Sequence, residues 1–251
     1  MVEAAVATIT LEGPSLTADA KQDLLQAISQ VSSDEQVRCV VLTGTGKVFC
    51  AGQDLGEHAA TLRTDPKRSF QTIQDHYIPI IKGLITMDKP VVASINGTCA
   101  GAGLSLAMAC DIRIAARTAR FVTAFTGIGL SFDSGLSATL ARSVGMARAS
   151  ELILLNEPFS ADEALSWGLV GKVVPPEELA NATAATAGKL AAGPTAAYAA
   201  AKRAIQDAWA APLADLLDYE RRTQESLGTT RDHKVAVEAF LAKQAPTFTG
   251  R

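Results

Sequence analysis

The stretch that decides the fold is Lys89–Ala115, KPVVASINGTCAGAGLSLAMACDIRIA. Its apolar, β-branched run Val91–Ile95 predicts a buried strand. Asn96-Gly97 predicts a turn, and Gly101-Ala102-Gly103 leaves the backbone bare where it must come close to another group. The apolar residues that follow recur at helical spacing, and Asp111–Ala115 predicts a second strand. The centre of the chain therefore runs from a strand through a glycine-rich turn into a helix.

The glycine-rich turn predicts a site for an anion, or for an oxygen that becomes anionic during a reaction. Such a turn exposes backbone N–H groups at the positive end of the helix dipole. A dinucleotide-binding fingerprint is disfavoured because Leu106 stands where its third glycine belongs. The sequence of this stretch leaves one alternative open, namely that the glycines only allow a helix to pack closely on a sheet.

Composition and charge narrow the class of protein. Hydrophobic residues make up 48% and charged residues 20% of the 251 positions, which is the globular range. The net charge of −3 gives no electrostatic footprint for nucleic acid. No apolar run reaches the roughly 18 residues of a membrane span, and no basic segment precedes an apolar leader. We therefore expect a cytoplasmic protein without a membrane or nucleic-acid partner.

The cysteines and histidines give no sign of a metal site. Four cysteines without metal-ligand spacing are expected to be reduced thiols: Cys39, Cys50, Cys99 and Cys110. Three histidines lie far apart in sequence: His58, His76 and His233. We expect no metal and no separate cofactor.

The first third of the chain predicts a crossover in a parallel sheet. Ala5–Leu11 alternates as a strand does, Pro14–Val31 carries a helical apolar stripe, and Val37–Thr43 is a continuous buried strand. This order predicts a right-handed β–α–β unit. Glu57–Thr86 predicts a longer helix, kinked at Pro79.

The remaining segments predict further core elements and then a helical region. Expected in order are a strand at Arg120–Val122, a helix from about Ser134, a helix at Met146–Leu155, a capped helix from Ser160 and a strand at Leu169–Val174. From Pro175 the chain is alanine-rich and helical. We therefore divide it into an α/β core, residues 1–174, and a helical region, residues 175–251. Its small apolar faces suit docking onto another subunit or ordinary packing within the chain.

Three motifs together resemble the crotonase (enoyl-CoA hydratase/isomerase) superfamily: Val48–Leu55, Asn96–Asp111 and Phe121–Leu140. The resemblance runs along nearly the whole chain, down to Ala239–Gly250, and is greatest for the enoyl-CoA isomerase branch, which includes a ring-epoxide isomerase acting on phenylacetyl-CoA. It implies a crotonase-like (ClpP/crotonase) α/β fold of repeated ββα units with a C-terminal helical trimerisation region. It also implies homotrimers, often paired into hexamers, that bind acyl-CoA thioesters. Coenzyme A would be part of the substrate.

The resemblance also implies a set of site residues. The backbone N–H groups of Gln53 and Ala102 would hold the thioester oxygen. Further substrate contacts fall at these positions: Lys47, Phe49, Ala51, Gly52, Asp54, Leu55, Gly101, Phe125, Phe132 and Leu136. Asp54 is expected to fix its loop more than to take part in chemistry. Phe240 and Lys243 correspond to residues that contact the CoA nucleotide of a neighbouring subunit, and a solvated surface charge is the alternative for Lys243.

Departures from the family pattern decide the expected reaction. Hydratases of the family carry two glutamates where this chain has Ser105 and Phe125, and neither side chain is a good proton carrier. Asp133 stands where the isomerase branch has an aspartate. The residues alone favour a helix cap for Asp133, whereas the resemblance favours a catalytic base.

The leading hypothesis is isomerisation of 3-enoyl-CoA to 2-enoyl-CoA, with Asp133 as the base. The alternatives are a hydratase, an aryl-CoA dehalogenase in which the aspartate is the nucleophile, and a non-catalytic scaffold that binds CoA esters or RNA. Glu57, Asp75 and His76 are weaker candidates for the site.

Overall fold

A computed structural model describes residues 2–251. The strands in this range are β1 Val2–Glu3, β2 Val6–Leu11, β3 Cys39–Gly44, β4 Val48–Cys50, β5 Val91–Ile95, β6 Thr98–Ala100, β7 Ile112–Ala116, β8 Arg120–Val122, β9 Phe159–Ser160 and β10 Lys172–Val174. The α-helices are α1 Ala18–Ser33, α2 Leu55–Thr64, α3 Pro66–Ser69, α4 Ile78–Thr86, α5 Ala102–Ala109, α6 Leu136–Val144, α7 Met146–Leu155, α8 Ala161–Ser166, α9 Leu179–Ala191, α10 Thr195–Asp207, α11 Leu213–Leu227 and α12 Arg231–Leu241.

The strands form two sheets that share one repeating pattern. A six-stranded sheet has the order β1-β2-β3-β5-β7-β10, and a four-stranded sheet has the order β4-β6-β8-β9. The strands β3, β5 and β7 are neighbours in the first sheet, and the strand that follows each of them joins the second sheet. A helix follows each such pair of strands. This arrangement confirms the crotonase-like fold of repeated ββα units.

The central stretch has the structure that its sequence predicts. The strand β5 has the predicted bounds, is buried at every residue, and lies between β3 and β7. The helix α5 after the glycine-rich turn is also buried at every residue. A Cβ on Gly103 would lie 2.2 Å from the carbonyl oxygen of Cys50, so this glycine does allow the helix to approach the second sheet closely. The packing alternative is therefore correct for Gly103.

The first crossover also has the predicted order. The strands β2 and β3 pair in parallel, with α1 between them in the chain. Thr17 caps α1, since its hydroxyl accepts a hydrogen bond from the N–H of Ala20 at 3.1 Å. The helix begins later than predicted because this cap, and not Pro14, marks its start.

Two predictions about local structure are wrong. Strands β4 and β6 were not expected, because three residues are too few to show a period. The helix expected over Glu57–Thr86 is instead α2, α3, a π-helix at Ile73–Tyr77 and α4. Pro79 lies in the first turn of α4, where the missing N–H costs little, so it begins a helix and does not kink one.

The C-terminal third continues the core before it leaves it. Helix α9 packs against β3, β5 and β7, and its buried residues Leu179, Ala187 and Ala191 form a second apolar cluster on that face of the six-stranded sheet. The expected boundary at residue 174 thus falls between β10 and a helix that covers the same sheet. Helices α10 and α11 have no buried residue. Among residues 2–251, no helix has the length and apolar character needed to cross a membrane.

Candidate active site

A cleft of about 120 Å³ lies at the carboxyl-terminal ends of the parallel strands β4, β6 and β8. The residues directly after these strands form one wall: Ala51–Gln53, Gly101-Ala102 and Ala124-Phe125. The rest of the lining comes from α2, the π-helix region and the loop before α6: Leu55, His58, Ser69, Phe70, Thr72, Ile73, Tyr77, Ile128, Leu130 and Asp133. Ligands of α/β proteins commonly bind at this edge of a parallel sheet.

The backbone N–H of Gln53 is directed into this region by its neighbours. The carbonyl of Gly52 accepts a hydrogen bond from the N–H of Leu16 at 2.7 Å, and the N–H of Asp54 donates to the carbonyl of Leu16 at 3.1 Å. Because the peptide between Gly52 and Gln53 is planar and trans, its N–H points opposite to its carbonyl and away from Leu16. Within residues 2–251 no protein atom accepts a hydrogen bond from this N–H.

The backbone N–H of Ala102 is the second donor. Ala102 is the first residue of α5, so its N–H has no partner in the helix. The carbonyl of Gly101 accepts from the N–H of Ser105 at 3.1 Å, and the Ala102 N–H of the same peptide therefore points out of the helix. A Cβ on Gly52 would lie 3.2 Å from the Ala102 nitrogen. The two donors thus lie on either side of a glycine, at the positive end of a helix dipole.

Asp133 lies in the cleft and does not cap a helix. The chain takes left-handed conformations at Ser134 (φ +53°) and Gly135 (φ +72°), and α6 begins only at Leu136 without a side-chain cap. The alternative that Asp133 caps the helix is therefore wrong. The carboxylate accepts a hydrogen bond from the hydroxyl of Ser134 at 2.8 Å. Burial raises the pKa of Asp133, and the Ser134 hydrogen bond opposes that rise.

The surroundings of Asp133 are mostly apolar. Phe125 is 7% exposed, and its ring centroid lies 6.4 Å from that of Phe132. Ile128 and Leu130 line the same part of the cleft. Among the described lining residues Asp133 is the one carboxylate. A single acidic group therefore faces the two backbone donors across a largely apolar space.

A polar network behind Gln53 was not predicted from the sequence. The ammonium of Lys21 donates to Gln53 Oε1 at 3.1 Å and to Thr72 Oγ1 at 2.9 Å. The hydroxyl of Tyr77 donates to the same Gln53 oxygen. Burial raises the pKa of Tyr77, and the nearby carboxylate of Asp133 adds to that rise. One signal could have revealed Lys21, because it lies three residues before Leu24 on the buried stripe of α1.

Of the substrate contacts implied by the resemblance, Ala51, Gly52, Leu55, Gly101 and Phe125 line the cleft. Asp54 has the structural role that was expected for it. It caps α2 by accepting from the N–H of Glu57 at 2.9 Å, and it accepts from the hydroxyl of Ser15 at 2.7 Å. These hydrogen bonds lower the pKa of Asp54. Glu57 in turn accepts from the N–H of Ala18 at 2.8 Å, which explains its position without a catalytic role.

Other implied contacts lie outside the lining. Phe49 and Leu136 have no exposed surface, so they belong to the core behind the cleft and not to its wall. Phe132 packs against this core and meets the cleft only through Phe125. Lys47 is exposed in the turn between β3 and β4.

The weaker candidates and the C-terminal pair lie farther out. Asp75 and His76 line a neighbouring surface pocket. Phe240 is 82% exposed near the end of α12, and Lys243 is exposed just beyond it. This single chain does not bring these two residues to the cleft.

Comparisons with known proteins agree with this geometry. The family model described as enoyl-CoA hydratase/isomerase matches residues 1–251. The 1,2-epoxyphenylacetyl-CoA isomerase of Escherichia coli (strain K12) is 39% identical over 254 residues, covering 100% of this chain and 97% of that protein. A probable enoyl-CoA hydratase of Rhodobacter capsulatus is 40% identical over 250 residues, covering 98% and 95%. A crystal structure from Mycobacterium abscessus, assigned as an enoyl-CoA hydratase/isomerase, superposes with a TM-score of 0.96 at 47% identity and covers 100% and 98%. These similar proteins carry both isomerase and hydratase names.

Proposed function

The chain belongs to the enoyl-CoA hydratase/isomerase family, and we propose that it isomerises 3-enoyl-CoA thioesters to the conjugated 2-enoyl-CoA. The substrate class, an acyl-CoA thioester, follows from the family. The choice of isomerisation is supported by one observation. Asp133 is the sole carboxylate among the described lining residues, and it shares the cleft with the N–H groups of Gln53 and Ala102.

The proposed reaction moves one proton between two carbons. The carboxylate of Asp133 takes a proton from C2, and the electron pair of the C–H bond moves into the thioester carbonyl. The oxygen that becomes negative accepts hydrogen bonds from Gln53 N–H and Ala102 N–H. The protonated Asp133 then returns the proton to C4 as the double bond shifts to C2–C3, so atoms and charge balance.

The two backbone donors favour the transition state over the bound substrate. Charge develops on the thioester oxygen only during the reaction, so fixed donors lower the barrier selectively. Removing one such donor typically costs about 3–4 kcal/mol of transition-state stabilisation. The apolar side chains of Phe125, Ile128 and Leu130 exclude water from the carboxylate. This exclusion favours return of the proton to the substrate over its loss to solvent.

Hydration of a 2-enoyl-CoA is the main alternative, and the side chains present do not favour it. The resemblance places Ser105 and Phe125 where hydratases have glutamates. Ser105 is 1% exposed, and its hydroxyl donates to the carbonyl of Gly101 at 3.4 Å. Neither residue can activate a water molecule for addition.

The acyl group is a separate part of the proposal. The Escherichia coli relative is named for a ring-epoxide substrate, so 1,2-epoxyphenylacetyl-CoA is a second candidate besides aliphatic 3-enoyl esters. The polar groups of His58, Ser69 and Thr72 lie in the same cleft as the apolar wall. Such a lining accommodates an acyl group that carries an oxygen atom.

We also propose that the protein works as a trimer, or as a pair of trimers. The surface of the C-terminal helices carries large exposed apolar side chains: Ile205, Trp209, Leu213, Leu217, Phe240 and Leu241. A soluble monomer rarely leaves so many in one region. A neighbouring subunit would cover them and could bring its Phe240 and Lys243 to the CoA of this chain.

A turnover screen tests the proposed function. Wild-type protein is incubated with 3-enoyl-CoA, 2-enoyl-CoA, 1,2-epoxyphenylacetyl-CoA and 4-chlorobenzoyl-CoA, and products are followed by thioester absorbance and by mass. We expect isomerisation of the 3-enoyl ester without a change of mass. Fast addition of water to the 2-enoyl ester would establish a hydratase, and release of chloride would establish a dehalogenase; either would refute the proposal.

A matched pair of variants tests the role of Asp133. Asp133→Asn should lose several orders of magnitude in isomerase turnover while it still binds acyl-CoA, because the amide keeps the shape but cannot take the proton. Asp75→Asn changes an exposed carboxylate outside the cleft lining and should keep the wild-type rate. The assignment of the base fails if Asp133→Asn retains most of the activity.

A further inference from the structure

We propose that Lys21 is a positioning residue for the oxyanion hole: its buried ammonium holds the side chain of Gln53 and thereby fixes the direction of the Gln53 backbone N–H. This inference rests on the proposed acyl-CoA chemistry, because it assigns the N–H of Gln53 to the thioester oxygen. Lys21 itself does not touch the substrate in this account. It acts through Gln53, 32 residues away in the chain.

The burial of Lys21 is unusual for a lysine. It is 2% exposed on the core-facing side of α1, where Leu24 and Ile28 continue the buried stripe. Lysines are almost never fully buried unless the charge is satisfied. Two of its three N–H donors go to Gln53 Oε1 and Thr72 Oγ1, and the ammonium lies 5.5 Å from the centroid of the Tyr77 ring.

The acceptor on Gln53 is fully used. A side-chain amide oxygen has two lone pairs, and here one receives the ammonium of Lys21 and the other the hydroxyl of Tyr77. The backbone on both sides of Gln53 is fixed by the hydrogen bonds to Leu16. Gln53 is therefore held through its side chain and through both adjoining peptides, which leaves its own N–H as the group directed at a ligand.

The charge of Lys21 is costly where it lies, which makes its position informative. Burial lowers the pKa of Lys21, while the carboxylates of Glu57 and Asp54 oppose that change. Those carboxylates bond to other groups, namely the N–H of Ala18 and the cap of α2. The direct acceptors of the ammonium are thus neutral, and one of them belongs to the residue that carries the oxyanion donor. A cation behind this donor also favours negative charge on the oxygen in front of it.

A purely structural role is the alternative, because the same lysine joins α1 to the π-helix region through Thr72. Lys89 provides a matched control. It is another buried lysine, 9% exposed, whose ammonium holds the carbonyls of Val31 and Asp34 at 2.6 Å, beside the end of α1 and outside the cleft lining. Lys21→Met and Lys89→Met therefore both remove a buried staple, and only Lys21→Met removes a partner of Gln53.

The experiment reads the oxyanion hole directly, without turnover. Butyryl-CoA labelled with ¹³C at the thioester carbonyl is bound to each variant, and the carbonyl stretching frequency is measured by difference infrared spectroscopy. Two aligned donors lower this frequency in the wild type. We expect Lys21→Met to shift it back toward the value of the free ester, and Lys89→Met to leave it unchanged. Where 3-enoyl-CoA is turned over, kcat of Lys21→Met should fall about tenfold or more with KM within a few-fold.

Two further outcomes keep the inference testable. Gln53→Met removes the acceptor but keeps Lys21, so it should shift the carbonyl frequency in the same direction even if Lys21→Met does not fold. The double variant should be no worse than the worse single variant, because both act on one element. A wild-type frequency in Lys21→Met and in Gln53→Met would overturn the inference. A wild type that polarises the carbonyl but isomerises nothing would instead refute the proposed function alone.

Discussion

Replacement of Gly52 by alanine should disable the oxyanion hole while leaving the fold in place. Gly52 has a φ of +92°, and a Cβ built on it would lie 3.0 Å from the carbonyl oxygen of Ala100 and 3.2 Å from the nitrogen of Ala102. Both distances are shorter than ordinary van der Waals contact. The new methyl group must therefore push the start of α5 away by a few tenths of an ångström, or occupy space beside the Ala102 N–H.

The expected effects on stability and on catalysis have different sizes. An alanine held in a sparsely populated left-handed conformation costs about 1–3 kcal/mol of folding free energy. Displacing or shielding one oxyanion donor costs about 2.7–4 kcal/mol of transition-state stabilisation, a loss of roughly 10²–10³ in turnover. Substrate binding should change less, since the donor matters most when charge has developed on the oxygen.

The assay compares Gly52→Ala with Gly145→Ala. Gly145 lies between α6 and α7 with a φ of +79°, and a Cβ there meets no atom within 4 Å. Thermal unfolding should show a loss of stability in both variants, whereas kcat for 3-enoyl-CoA should fall only in Gly52→Ala. A folded Gly52→Ala protein with kcat within about threefold of wild type would refute the assignment of the donors to Gln53 and Ala102.

Three further predictions follow from Asp133 and from the C-terminal helices. Because burial raises the pKa of Asp133 above its ordinary value of about 3.9, kcat/KM should fall on the acid side at a pH above that value; a profile that is flat down to pH about 4 would contradict a buried base. The same raised pKa means that the ionised carboxylate destabilises the fold at pH values above it. Asp133→Asn should therefore melt higher than wild type at about pH 7, with the difference vanishing below about pH 4; a lower melting temperature at neutral pH would count against this reasoning. Light scattering should give about three or six times the 26.2 kDa chain mass, and a stable monomer at micromolar concentration would exclude the proposed assembly.

How much of the fold was predictable depended on the length and periodicity of each element. The strand at Val91–Ile95 and the helix at Met146–Leu155 have the predicted bounds, since an apolar run and a clear helical stripe leave little choice. Strands β4 and β6 escaped prediction because pairing across the second sheet, and not their three-residue sequences, determines them. The π-helix at Ile73–Tyr77 depends on tertiary packing in the same way.

The site was predictable where a motif lies on one stretch of chain. The glycine-rich turn indicated the Ala102 donor, and the resemblance supplied Gln53 and Asp133. Sequence could not decide between cap and cleft for Asp133, because the answer depends on left-handed conformations at the next two residues. It also missed Lys21 and Tyr77, since folding alone brings them to Gln53 from 32 and 24 residues away.

The central claim is that one carboxylate carries one proton from C2 to C4. The most direct test is the mass and label position of the product formed from 3-enoyl-CoA deuterated at C2, with wild-type protein and with Asp133→Asn. We predict that the wild type gives an isomer that has gained no water and carries deuterium at C4, and that Asp133→Asn gives almost no product. A product heavier by one water, or an Asp133→Asn variant that forms the labelled isomer at the wild-type rate, would contradict the claim.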